Sequence, residues 1–404
     1  MTPGRQTAKR AWMACGLAYL VLAVGASTAT AAPFAYVTNS STGGGVSQYD
    51  AAGGPLVPLA PPAVTAGEFP GDVAVSPDGM SVYVVTGSNT LSGNVVFQFS
   101  VGAGGTLVPK SPPSVLTRNS PTAIVIAPDG RSAYVTNTLD SSVSQYSVAA
   151  DGTLTPKAPA TVAAGVQPAG IAITPDGRNV YVVNDGDHAV SQYSVAADGT
   201  LSPKAPFTVA TGPGPLRIAV SVDGASAYVT NDSATTVSQY SVGAGGGLVP
   251  KSPATVSAGA GPFDVAASPD GRNVYVSNAN AGTISQYAIG PGGALVPLSP
   301  PAVATGLGPE GIAITSDGRF LYVTDSSASA VSQYARGADG TLTPLSPPTA
   351  PARQTPVSIA VTPSARGPST KEDCKQGGWR RFGRFRNQGD CISFVATGGR
   401  NPPG

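Results

Sequence analysis

The chain has 404 residues, of which only 11% are charged, with 51 glycines, 39 prolines, one histidine and a formal net charge of +1. Glycine and proline spread periodically at that level describe a turn-rich folded chain, not a disordered one. One histidine cannot build a histidine-rich zinc site, and with no cysteine between Cys15 and Cys374 the central region holds no thiol nucleophile.

The first element is a targeting segment. Arg5, Lys9 and Arg10 precede an apolar stretch from Ala11 to Gly25, and Ala29-Thr30-Ala31 supplies a small-x-small cleavage site. This order predicts a signal peptide over residues 1–31. The apolar stretch is short for a membrane span, and Trp12-Met13-Ala14 before Cys15 does not make a lipoprotein signal. The expected mature protein is exported, secreted or held at a bacterial cell surface, and does not span the membrane.

Residues 32–365 are a repeat array. A tyrosine opens each YVxN-like run at Tyr36, Tyr83, Tyr134, Tyr181, Tyr228, Tyr275 and Tyr322, spaced by 47 residues except for one interval of 51. A second marker, SQY or its equivalent, follows each, from Gln48-Tyr49 to Gln333-Tyr334. A period near 47 falls among propeller blade lengths. The unit Ile171–Val209 divides into four short runs rich in Val, Ile and Tyr, separated by Pro175-Asp176-Gly177, Asn184-Asp185-Gly186 and Asp198-Gly199. Runs of that length and composition, punctuated by such turns, predict four antiparallel strands.

The first run of each repeat alternates branched residues with alanine, as in Ile171-Ala172-Ile173 and Ile312-Ala313-Ile314. A large face meeting a small one would let neighbouring blades interlock near a crowded axis. The array starts on a second strand, Ala35-Tyr36-Val37-Thr38, and ends on a first strand, Val357–Pro363. Together these make one blade, and their pairing would hide both open sheet edges. The sequence therefore predicts an all-β fold, a seven-bladed β-propeller of four-stranded blades closed by its two ends.

The YVTN, PDG and SQY elements resemble the YVTN-repeat propellers and the related seven-bladed, 6-phosphogluconolactonase-like lactonases. The resemblance covers residues 34–363. It implies a propeller with its ligand at the mouth of the axial channel and, if the chain is an enzyme, lactone hydrolysis there. Fold alone does not assign an activity.

Two loop sets reach the mouth: those after the second strand of each blade and those leading into the first. The latter share a proline, at 70, 121, 168, 215, 262, 309 and 356. The two residues after it are mostly small or apolar, and only Asp72, Arg217, Asp264 and Glu310 are charged. These four are the candidate ligand-binding residues. A mutually compensating charge cluster would explain them equally well. In a lactonase, Glu310 or Asp264 would be the base that activates water and Arg217 the donor to the developing oxyanion. The related enzymes tend to carry histidine after this proline, and this chain carries none there.

Other motifs read as turns. The aspartates of the PDG-like hairpins, Asp78, Asp129, Asp176, Asp223, Asp270 and Asp317, fit turn chemistry. Asp185, Asp187 and His188 share one loop, but a calcium site needs six or more oxygens and no terminal glutamate follows, so loop solvation is expected. No metal or cofactor is implied. A Ser-His-Asp triad would have only His188 to use, with no nucleophile elbow.

Residues 33–365 carry 12 Lys/Arg and 19 Asp/Glu, a balance of −7. That acidity argues against nucleic acid as a partner, since phosphate binding rests on Lys and Arg. Residues 366–404 reverse it, with 8 Lys/Arg and 3 Asp/Glu. This tail holds Cys374 and Cys391, the two cysteines left after signal removal, expected to form one disulfide in an exported protein. Between them Trp379, Phe382 and Phe385 interleave with Arg380, Arg381, Arg384 and Arg386. This is either a patch for an anionic surface such as cell-wall polymer or lipid headgroups, or a small stapled appendage. The segment resembles a Cys-GGW-F-NQG-Cys tail of exported bacterial proteins.

The poor inventory of catalytic groups and the near-identical repeats place first a monomeric binding or cell-surface scaffold, taking a small polar ligand or a cell-surface polymer. A lactone hydrolase with its site at the channel mouth is the alternative.

Overall fold

A computed structural model describes residues 33–363 apart from residues 42 and 88–92, together with the isolated positions Gln388 and Ile392. The expected signal segment, the centre of the insertion in the second repeat and, apart from Gln388 and Ile392, the tail that carries Cys374 and Cys391 lie outside the described residues.

Twenty-eight strands, β1 to β28, form seven antiparallel four-stranded sheets among the described residues. Six blades take their strands consecutively. The seventh joins β28 (Pro356–Val361) to β1 (Phe34–Asn39), β2 (Gly45–Asp50) and β3 (Val57–Thr65). Tyr36 lies opposite Ala360 in that junction, and the Phe34 N–H donates to Thr362 Oγ1 at 2.8 Å. The predicted closure is thus present, and it leaves neither chain end of the array as an unpaired edge. The inner strands contact one another in a complete circuit: β4 (Pro70–Val75), β8 (Pro121–Ile126), β12 (Pro168–Ile173), β16 (Pro215–Val220), β20 (Pro262–Ala267), β24 (Pro309–Ile314) and β28.

Packing between inner strands follows the alternation in the sequence. Ala172 of β12 packs in one cluster with Ile218 of β16. Ala266 of β20 meets Ile312 of β24, and Ala313 meets Ile359 of β28. The small face of one blade receives the branched side chain of the next.

Each polar letter of the two markers has a bond to explain it. The first tyrosine hydroxyl donates to a glycine carbonyl of the next blade, as in Tyr181 to Gly246 at 2.7 Å, and Tyr322 closes the circuit on Gly54 at 2.5 Å. The marker glutamine accepts from a leucine N–H of the next blade and donates to a proline carbonyl of its own outer strand. Gln192 does so with Leu248 at 2.6 Å and Pro206 at 3.1 Å. The second tyrosine donates backwards, Tyr193 to Ala163 at 2.6 Å. The asparagine that ends the second strand holds the serine of SQY, Asn184 Nδ2 to Ser191 Oγ at 2.8 Å. These groups are buried, so each bond spares the sizeable desolvation penalty of an unpaired polar atom.

The PDG aspartates cap their own hairpins. Asp176 Oδ1 accepts the Arg178 N–H at 3.0 Å while Gly177 takes φ +72°, a left-handed conformation that glycine adopts without penalty.

Candidate active site at the channel mouth

Alternation along the inner strands decides which residues reach the channel. A cavity of about 460 Å³ opens where the seven inner strands begin. The first residue after each of the seven prolines lines it: Gly71, Thr122, Ala169, Leu216, Phe263, Glu310 and Val357. The second residue points the other way along a strand, toward the neighbouring blade. Of that second set, only Arg217 and Ser358 also reach the cavity wall.

The repeat itself places the first residues. The hydroxyl of the second strand's Thr or Ser donates to the carbonyl of the first residue in the next blade. Thr230 Oγ1 holds the Phe263 carbonyl at 2.9 Å, and Ser277 Oγ holds that of Glu310 at 2.5 Å. Glu310 is therefore carried on backbone pinned across a blade boundary.

The four candidates separate into two pairs. Glu310 and Arg217 line the cavity. The carboxylates of Asp72 and Asp264 are engaged between blades. Asp72 Oδ1 accepts from Val73 N–H at 3.0 Å and Ser358 Oγ at 2.7 Å, and its Oδ2 accepts from Ile124 N–H at 3.0 Å. Asp264 Oδ1 accepts from Val265 N–H at 2.8 Å and its Oδ2 from Ile312 N–H at 3.0 Å. Both tie adjacent inner strands together.

Arg217 is held by its surroundings. Its N–H donates to Thr230 Oγ1 at 3.1 Å, its Nη1 donates to the Leu216 carbonyl at 3.3 Å, and its guanidinium carbon lies 5.5 Å from the Phe263 ring centroid. A cation over an aromatic face is attracted by the ring quadrupole. Gly170 gives this side chain its room. A Cβ there would lie 2.5 Å from the Leu216 carbonyl oxygen and 2.9 Å from Arg217 Cα. Gly170→Ala is expected to displace Arg217 and lower any turnover at this site on the order of 10–100-fold. Steady-state kinetics check this alongside circular dichroism, which should be unchanged.

Electrostatics distinguish the carboxyls. Burial pushes Glu310 above the usual carboxylate range, while a Ser326 hydroxyl bond and the Arg217 charge pull it back. Burial pushes Asp264 up to about 6, opposed by Arg217 and by its two backbone bonds. A carboxyl raised this way keeps basicity that an exposed one lacks, the condition a general base needs near neutral pH.

Asp185 also lines the cavity, with Ser40 and Thr138 from the equivalent loops of other blades and Gln167 beside them. The sequence assigns Asp185 to loop solvation. The signal that finds it is its place directly after the second-strand asparagine, the loop set that faces the mouth. Its neighbour Asp187 does turn work, accepting the Val166 N–H at 2.6 Å, and His188 is exposed with φ +48°. Among the described residues no group of three or more His, Cys, Asp or Glu side chains is placed to hold a metal ion.

The model of the lactonase, 7-bladed beta-propeller family matches residues 34–360. The chain belongs to that family. Among solved structures this lactonase-family chain is similar to a "putative 6-phosphogluconolactonase" from Bacteroides fragilis, at 22% identity over 83% of this chain and 99% of that one, with a TM-score of 0.70. It is also similar to the periplasmic gluconolactonase of Pseudomonas aeruginosa, at 21% identity over 82% and 99%, with a TM-score of 0.66. At such identities the likeness is one of fold. No curated protein matches the chain. Membership of the lactonase family favours the hydrolase over the scaffold, reversing the order that the catalytic inventory alone suggests.

Proposed function

We propose that the protein is a lactone hydrolase whose site is the channel-mouth cavity. The observation that carries this reading is that Glu310 and Arg217 line one cavity in a chain of the lactonase family. The solved relatives named for gluconolactone or 6-phosphogluconolactone hydrolysis agree with it.

Glu310, as carboxylate, takes a proton from water, and the water oxygen adds to the lactone carbonyl carbon. The negative charge then developing on the carbonyl oxygen meets the Arg217 guanidinium. Collapse breaks the bond between the acyl carbon and the ring oxygen. Glu310 returns its proton to that oxygen, and the product is the open hydroxy acid. Asp72 and Asp264 serve by tying the inner strands that present the two groups. Export from the cell, expected from residues 1–31, would place this chemistry outside the cytoplasm.

The test is acid release from a panel of sugar lactones with the purified protein. Release above the spontaneous rate is expected for at least one. No release across the panel would return the protein to the scaffold reading.

A further inference from the structure

On the lactone-hydrolase reading above, we infer that the substrate is an uncharged sugar lactone and that Asp185, with Glu310, excludes a phosphorylated one. Among the described residues the cavity wall holds one cation, Arg217, against two carboxylates, Glu310 and Asp185. Arg217 already acts on both Glu310 and Asp264, so its charge is shared before any ligand arrives. A phosphate monoester carries a charge of about −1.5 to −2 at pH 7 and offers three strong acceptor oxygens. Sites that hold it use arginine forks, lysines or the N–H groups of a helix N-terminus. The cavity here is framed by strand ends.

Arg118 and Arg353, on the loops that lead into β8 and β28, lie outside the cavity lining. An Arg353 guanidinium nitrogen donates to the Gly43 carbonyl at 3.1 Å. The wall offers neutral partners instead: the hydroxyls of Ser40, Thr122, Thr138 and Ser358, and the Gln167 amide. Thr122 Oγ1 lies 3.0 Å from Thr138 Oγ1, and Thr138 Oγ1 donates to the Pro168 carbonyl at 2.7 Å, so these oxygens are held in place as acceptors for a ligand's hydroxyls. A polyol lactone meets these groups without placing an anion against Asp185.

Asp185 can be changed without disturbing the turn that carries it. Its N–H donates to the Gln167 carbonyl at 3.0 Å and its carbonyl accepts from His188 N–H at 3.3 Å, both through backbone. The experiment compares kcat/KM at pH 7 for glucono-δ-lactone and its 6-phosphate, in the full chain and in Asp185→Asn. The wild type is expected to favour the neutral lactone at least tenfold. Asp185→Asn is expected to narrow that ratio at least threefold, through the KM of the phosphorylated lactone. Preference for the phosphorylated lactone, or equal rates, would overturn the inference while hydrolysis stands. An unchanged ratio in Asp185→Asn would remove Asp185 from the selection. Hydrolysis of neither would sink the hydrolase reading and this inference together.

Discussion

Raising the pH above about 10 is expected to unfold the propeller in one cooperative step, with phenolate absorbance and loss of β-sheet circular dichroism rising together. Thirteen of the 14 tyrosines lie between Tyr36 and Tyr334, and twelve of them are nearly inaccessible marker residues that join blades. Burial raises them all: Tyr49, Tyr83, Tyr134, Tyr275 and Tyr287 to about 12, and Tyr36, Tyr181, Tyr193 and Tyr322 further. An unfolded tyrosine ionises near ~10. Because the folded values lie higher, this contribution to stability is complete below pH ~10 and is lost as the pH climbs toward 12. At pH 11 each of the nine tyrosines raised to about 12 or further favours the unfolded chain by about 1.4 kcal/mol, and the nine together by roughly 12 kcal/mol, comparable to the ~5–15 kcal/mol of a typical domain. Gradual titration near pH 10 with the fold retained would contradict the inter-blade role of these hydroxyls.

That role explains why the fold was so legible. The tyrosines and glutamines that mark the period are the groups whose bonds cross blade boundaries, so selection for a closed ring writes the same letters seven times. The alternation of Ile and Ala in the inner strands was readable for a similar reason, because each blade must receive its neighbour.

The site was legible only in part. The seven prolines located the cavity, since the residue after each one lines it. The four charged candidates looked alike as a set, although strand alternation separates them. Glu310 is the first residue after its proline and faces the channel. Asp72 and Asp264 are second residues and face the next blade, where amides of Ile124 and Ile312 meet them. Arg217 is also a second residue, yet it reaches the mouth, with its guanidinium over the Phe263 ring. Asp185 reads as loop solvation because aspartate before glycine is an ordinary turn signal, although its loop, directly after the second strand, belongs to a set that reaches the mouth. The export segment and the cysteine-bearing tail stand as proposals from sequence.

Arg217→Ala is expected to lower kcat/KM for lactone hydrolysis on the order of 10²–10³-fold, the usual loss for one oxyanion donor. A comparable or larger loss is expected for Glu310→Gln, since general bases contribute ~10²–10⁴-fold. Rate loss alone would not separate catalysis from support, so the pH profile decides. Glu310 must be ionised to accept a proton, and its carboxyl is raised by burial. Activity should therefore fall as pH drops through a value above the ordinary glutamate range. Arg217 pulls that value down, so the residual activity of Arg217→Ala should show an acid limb at higher pH, and Arg217→Lys should restore the wild-type limb. Asp264 offers a competing account, since it too is raised, to about 6, and feels the same arginine. Its two carboxylate oxygens, however, each accept a backbone N–H. An amide there would turn a donor toward a donor, so Asp264→Asn should lower Tm while keeping the acid limb. If the limb vanishes in Asp264→Asn and survives an isosteric change at Glu310, the base is the aspartate and the inter-blade tie is its anchor.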